Sequence, residues 1–238
     1  MQPEVSIVMV GLDLWDMTKK AMEGLIFTMS QPWQLLFINN GSTDQTRDEF
    51  EHLAPTWTWQ YFAGYKAHNY GRTVGLASAW NRGWKMHLAL EPRPEYVVFA
   101  NNDIVFHKFG WWDKMRQRLD GGLDLVGIQE MTWYKFRFVE GSLFAARSEV
   151  LETLQEKPGR LFDTRFRLSC EDVDLSQRFL KAGLKIGQVH DVQPSYLVHA
   201  GHATINHRSM RGDDLVTKMH QSRRELCKKW GYPEKVED

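Results

Sequence analysis

Tyr96-Val97-Val98-Phe99-Ala100-Asn101-Asn102-Asp103 is an apolar run that breaks abruptly into polar residues. Apolar side chains at every position, rather than every second one, describe a strand covered on both faces. Two earlier stretches have the same form. Val5-Ser6-Ile7-Val8-Met9-Val10 leads into Gly11-Leu12-Asp13, and Trp33 to Ile38 leads into Asn39-Asn40-Gly41-Ser42. Helical patterns lie between them. Met17, Ala21, Leu25 and Met29 recur at every fourth position behind Asp16, a candidate cap. Ser42, Thr43 and Asp44 offer caps for a helix to about Leu53, and a further helix is expected from about Val74 to Leu90. Strands alternating with helices predict an α/β fold, a Rossmann-like, mostly parallel sheet flanked by helices. Ligands of such sheets bind beyond the carboxyl ends of the strands, where the three polar clusters fall. Together the clusters predict a nucleotide crevice.

The second half is less regular. Asp124–Ile128 and Ser142–Ala146 read as strands, and Ser148 as the cap of a helix through about Gln155. A helix from about Asp172 to Ala182 stops at Gly183, the strand Tyr196–Val198 delivers His199, and a last helix runs from about Asp214 to Trp230. Repeats and linkers are missing from the pattern, so residues 1–238 read as one domain. Its parts are a nucleotide-binding half (1–106), a catalytic half with a smaller acceptor-side subregion (107–205) and a basic helical tail (206–238).

Composition is that of an ordinary globular chain, 42% apolar and 25% charged. Thirty basic residues balance thirty acidic ones, so net charge marks neither a nucleic-acid nor a membrane partner. Cys170 and Cys227 alone build neither a disulfide framework nor a four-ligand zinc site. The start carries no basic n-region or cleavage site, and no apolar stretch reaches the roughly 18 residues of a membrane span. A cytoplasmic protein without an integral membrane segment is expected.

Four segments carry candidate chemistry, each with a bland alternative. Asp103 at a strand end suits a hard divalent cation through oxygen, or simply caps its loop. Glu171, Asp172 and Asp174 crowd a helix start, where one is a candidate general base, or where all merely complement the helix dipole. His199, with His202 close behind, is a metal-ligand candidate or a packed histidine. Met131-Thr132-Trp133-Tyr134-Lys135-Phe136-Arg137-Phe138 interleaves aromatic and basic groups, fit to stack a sugar or nucleobase or to pack on the core.

The order of these pieces resembles the inverting family-2 glycosyltransferases of the GT-A fold. The stretches that carry the likeness are VSIVMVG, LLFINNGSTDQT, GLASAWNRG, YVVFANNDIVF, GSLFAARSEVLE, FDTRF, EDVDLSQRFLKAG and YLVHAGHAT, spanning about Val5 to Thr204. The resemblance implies a nucleotide-sugar donor, UDP-linked, and Mn²⁺ or Mg²⁺. Val10, Gly11 and Asp13, then Asn39, Asn40, Ser42 and Asp44, match the nucleotide loops. Gly75, Asn81 and Arg82, with Asn101 and Asn102, match positions lining the nucleotide and sugar. Asn39 stands where the family usually has a base-reading aspartate, and Asn101 replaces the first carboxylate of the metal motif. Asp103 and His199 are then the implied metal ligands, with Mn²⁺ slightly favoured by the imidazole. Asp172 is the implied base and Glu171 the second choice. The acceptor is expected to be a glycan or small molecule. Two other enzyme readings compete, the same chemistry on a hydroxylated base in DNA and a nucleotidyltransferase. An inactive nucleotide-sugar binding module is the non-enzymatic alternative.

Overall fold

The computed structural model describes residues 1–166, 168–200 and 213–234; His202 and the first part of the basic tail lie outside them. The apolar runs form the centre of the sheet: β1 (Val5–Gly11), β2 (Trp33–Asn39) and β4 (Tyr96–Asn101). An unforeseen strand, β3 (Phe62–Asn69), adds to the edge beside β2. It has no apolar run because an edge strand is half exposed. All four run parallel, and their ends align: Gly11 pairs with Asn39, Asn39 with Asn69, and Val10 with Asn101. The polar clusters therefore share one rim.

Beyond β4 the sheet continues with β9 (Leu143–Arg147), then β6 (Leu125–Gly127) and β10 (Ile186–Gln188). β9 is antiparallel to both its neighbours, so its beginning lies at the rim where the other strands end. That reversal delivers Glu140, Gly141 and Ser142 beside Asn101, whose N–H donates to the Ser142 carbonyl at 2.9 Å. Two short pairs complete the rim. β5 (Ile104–Phe106) pairs antiparallel with β11 (Leu197–His199), and β7 (Glu130–Trp133) with β8 (Phe136–Val139).

Helices cover both faces. Against one lie α1 (Trp15–Thr28) and α4 (Trp111–Asp120), burying Trp15, Leu25, Trp111 and Trp112. Against the other lie α3 (Leu76–Leu88), α5 (Ser148–Thr153) and α6 (Glu171–Lys181). There Trp80 meets the rings of Phe99, Phe144 and Phe162 at 5.0–5.8 Å. Burying such a ring contributes about 2–3 kcal/mol, so this cluster fixes where α3 and α6 sit. Gly24 lets α1 touch β5: a Cβ there would lie 2.5 Å from the Phe106 carbonyl oxygen.

The caps of α1 and α5 differ from expectation because the bonds that decide them are tertiary, whereas Asp44 serves the second helix as expected. Asp16 lies inside the first turn of α1, whose start follows left-handed Leu14 (φ 60°) and is satisfied by Asp44, accepting from the Trp15 N–H at 3.2 Å. α2 (Thr46–Leu53) begins after Gln45, with Asp44 again accepting, from the Thr46 N–H. The Ser148 hydroxyl donates to the Pro94 carbonyl rather than capping α5. The last helix, α7 (Asp213–Trp230), packs Leu226 and Cys227 against Phe136, Phe166 and Val173. Among the described residues no helix is long and apolar enough to cross a membrane.

Candidate active site

Asp13 knots the rim. It follows β1 in a left-handed conformation (φ 54°), with Leu14 the same (φ 60°), a strained pair that only surrounding bonds can hold. Its Oδ1 accepts from the N–H groups of Thr43 (2.6 Å) and Asp44 (3.3 Å), while its own N–H donates to the Ser42 hydroxyl at 2.9 Å. Its carbonyl accepts from Asn102, whose amide also donates to Thr18 at 2.7 Å. The loops after β1, β2 and β4 are thus stitched into one ledge. Asn39 and Asn40 add to it: Asn39 Oδ1 accepts from the Ser42 N–H, and Asn40 Oδ1 from the Val74 N–H just before Gly75. Gly75 then opens α3 at φ 86°, which favours glycine.

This bonding shows what several of the expected nucleotide positions do within the fold. Asn39 is 2% exposed, with its oxygen accepting from its own loop. Asn81 is buried and spends both ends of its amide on the backbone of Phe162, at 2.8 Å each. These asparagines, with Asn102, build the ledge rather than offer free groups above it. Val10, Gly11 and Asn101 end their strands at the rim.

Asp103 and His199 come together across the β5–β11 pair. His199 pairs with Ile104, the Ala200 N–H donates to the Asp103 carbonyl at 2.9 Å, and His199 Nε2 lies 3.4 Å from Asp103 Oδ1. The bond to Asp103 raises the His199 pKa against the opposing effect of burial, with the Asp103 and Glu140 charges adding to the rise. A hard carboxylate oxygen and an imidazole nitrogen at this separation fit two positions on one divalent cation. The only group of three close ligands among the described residues is elsewhere, at Glu156, Asp163 and Asp174.

Asp172 faces the rim from the start of α6. Left-handed Cys170 (φ 76°) precedes the helix, so Asp172 is within the first turn and not its cap. Its Oδ2 accepts from the Gly141 N–H at 2.9 Å and its Oδ1 from the Val173 N–H at 2.8 Å. One turn on, the Ser176 hydroxyl accepts from the Val139 N–H, so α6 is clipped along the strand that leads to Gly141. A Cβ at Gly141 would stand 3.0 Å from Asp172 Oδ2, so only glycine leaves that oxygen open. Burial, then the neighbouring Glu140 carboxylate, push Asp172 above the usual carboxylate range. Glu171 is 4% exposed, its Oε2 has no partner among the described residues, and burial and Asp172 push its pKa up too. Glu171 is turned into the protein whereas Asp172 is half-buried at the rim, which separates the pair in favour of Asp172.

Glu140 went unnoticed in the sequence. Half-buried at the rim, it accepts from the Ser142 hydroxyl and acts on both Asp172 and His199. A lone glutamate before a glycine carries no local signal; only the reversed direction of β9 brings it here. The aromatic-basic stretch divides the other way. Phe136 and Phe138 are buried, Trp133 stacks on Phe136 at 5.8 Å, and Phe136 and Tyr134 meet Tyr232 beyond α7.

Residues 6–155 match the family described as glycosyl transferase family 2. Among solved structures, a mannosyltransferase of Pyrobaculum calidifontis in complex with GDP-Man and Mn²⁺ is similar, with a TM-score of 0.69 at 14% identity, covering 100% of this chain and 66% of its own. S. aureus TarS is similar with a TM-score of 0.58 at 14% identity, covering 94% of this chain and 40% of its own. TarS residues 1–349 in complex with UDP-GlcNAc give a TM-score of 0.59 at 15% identity, covering 94% and 66%. This chain spans less than two thirds of each, and at such identities the likeness is one of fold. Among curated proteins, none matches.

Proposed function

The chain belongs to glycosyl transferase family 2 and is a glycosyltransferase of GT-A fold, and from that premise we propose that it moves a sugar, with inversion, from a nucleoside-diphosphate donor to an acceptor hydroxyl, with Asp172 as the base. The observation that carries this is the setting of Asp172: half-buried, its pKa raised, each oxygen holding one backbone N–H and retaining a lone pair toward the rim.

The donor lies along the ledge knotted by Asp13, with its nucleotide beside Val10, Gly11, Ser42 and Asp44 and its sugar toward Asn101 and Asp103. A UDP-linked donor is the first choice; the similar structures hold GDP-Man in one case and UDP-GlcNAc in another. Asp103 and His199 would hold Mn²⁺ or Mg²⁺, which supplies positive charge against the departing diphosphate. Asp172 takes the proton as the acceptor oxygen bonds to the anomeric carbon. The carbon–oxygen bond to the diphosphate breaks in the same displacement, and its electron pair leaves with the nucleotide. Glu140 helps keep Asp172 basic enough for this, and Glu171 is the second choice of base.

The acceptor is a glycan or small molecule approaching over Glu140 and Gly141. The same chemistry on modified DNA is the second choice: Phe136 and Phe138 pack inward and Arg137 is paired with Glu130 at 2.5 Å, which leaves fewer groups of the aromatic-basic stretch to grip it. A cytoplasmic location remains part of this reading.

The test is a panel of UDP-glucose, UDP-galactose, UDP-GlcNAc and GDP-mannose with Mn²⁺, scored by nucleotide release and thermal shift. One preferred donor is expected, with a raised melting point and released nucleotide. No shift and no release with any of them would overturn the proposal.

A further inference from the structure

Asp174, two residues beyond Asp172, points about 200° away around the helix, into the body of the protein. It is fully buried, and so is Asp163 on the loop before α6. With Glu156 they bring carboxylate oxygens within 4.8 Å of one another, an arrangement that calls for a cation. The cation is built in. Lys229, near the end of α7, places its Nζ 2.5 Å from Glu156, 3.0 Å from Asp163 and 2.8 Å from Asp174. Its three protons match three carboxylates. The Trp230 indole N–H donates to Asp174 at 3.1 Å beside it.

The start of α6 needs this support. It has no side-chain cap, enters from left-handed Cys170, and carries Glu171, Asp172 and Asp174 in its first turn. Of these acids, Asp174 is the one tied to cations: Lys229 from α7, and Arg178 from one turn along α6 at 3.1 Å. Arg178 also donates to the Leu154 and Leu161 carbonyls, and Arg165 pairs with Asp163 at 2.6 Å. Arg160 and Arg165 pair with Asp163 and Arg178 with Glu156 and Asp174, but among the described residues Lys229 is the one cation that touches all three carboxylates. Without Lys229 the buried Asp174 keeps Arg178 as its one ion-pair partner among the described residues, and the negative charge behind the first turn of α6 is less well compensated.

We infer that Lys229 is a positioning residue for the transfer reaction: its ammonium is the resident cation of the Glu156–Asp163–Asp174 pocket and, through Asp174, fixes the helix start that presents Asp172. The inference rests on Asp172 being the base. It makes the end of the C-terminal helix part of the catalytic apparatus, although Lys229 faces away from the rim.

The experiment compares Lys229→Met, which keeps the length and removes the charge, with Lys229→Arg. Turnover is measured with the donor that the panel selects, binding with UDP or GDP plus Mn²⁺, and local opening by hydrogen exchange of the amides from Val173 to Ser176. Lys229→Met is expected to lower kcat about tenfold to hundredfold with nucleotide binding unchanged, and to speed exchange in the first turn of α6 more than elsewhere. Lys229→Arg is expected to restore most of both. If Lys229→Met does not fold, Glu156→Gln, which takes away one of the three partners, is expected to give a smaller loss of kcat and faster exchange in the same turn. Unchanged kcat, or exchange that rises evenly across the molecule, would overturn the inference. Asp172→Asn in the same assays separates the two readings. If it turns over normally the base is misassigned, whereas if it is inactive while Lys229→Met is normal only the role of Lys229 falls.

Discussion

At the scale of single residues, the proposed chemistry turns on Asp172 and the two carboxylates beside it. Burial and then Glu140 raise Asp172, and burial and then Asp172 raise Glu171. A base works only when deprotonated, so turnover is lost as pH falls through the Asp172 pKa. Because that pKa is raised, the acidic limb of kcat/KM is expected above pH ~4, where an exposed aspartate would titrate. Glu140→Gln removes a like charge, so it is expected to move the limb to lower pH; a limb that stays put would show that Glu140 does not act on the base. Asp13 is the other decisive residue, since one oxygen holds two N–H groups of the second loop. Asp13→Ala removes the acceptor of both part-buried donors, and is expected to cost about 1–2 kcal/mol in chemical denaturation and to weaken nucleotide binding. Asp103, Asp172 and His199 could be singled out in the sequence only through their order along the chain, and the fold brings Asp103 and His199 together. Glu140 was not legible at all, because what brings it to the rim is the direction of β9.

At the scale of elements, the close contacts of helices on the sheet decide where the site residues stand. α1 lies on β5 through Gly24, and β5 leads directly out of Asp103. Gly24→Ala would push a methyl group against the Phe106 backbone, which cannot yield as a side chain would. A loss of about 1–3 kcal/mol in stability is expected, with a lower Tm by calorimetry. The continuous apolar runs of β1, β2 and β4 were plain in the sequence because burial on both faces leaves a signal at every position. β3 escaped because its residues are half-buried or exposed with neither an apolar run nor a regular alternation, and Gly64 interrupts them. The caps of α1 and α5 were misread for a related reason. Asp16 and Ser148 have the right chemistry, but Asp44 and Pro94 hold the bonds that count, and both are distant in sequence.

At the scale of the whole molecule, the proposed function divides the chain into a ledge for the donor and a helix that presents the base. The ledge is built from β1, β2 and β4 with their loops, and the helix is clipped to the acceptor side through Gly141 and Val139. The sequence reads as two halves joined near residue 106; the antiparallel β9 that interleaves them was not foreseen. Binding and turnover should therefore separate by mutation. Asp103→Ala is expected to abolish the part of nucleotide binding that depends on Mn²⁺, seen as a lost difference between titrations with and without the metal. The most direct measurement is nucleotide release by Asp172→Asn beside the unaltered protein, with donor binding followed in parallel. Release is expected to fall about 10²–10⁴-fold while donor affinity holds within about twofold; normal release by Asp172→Asn would contradict the assignment of the base.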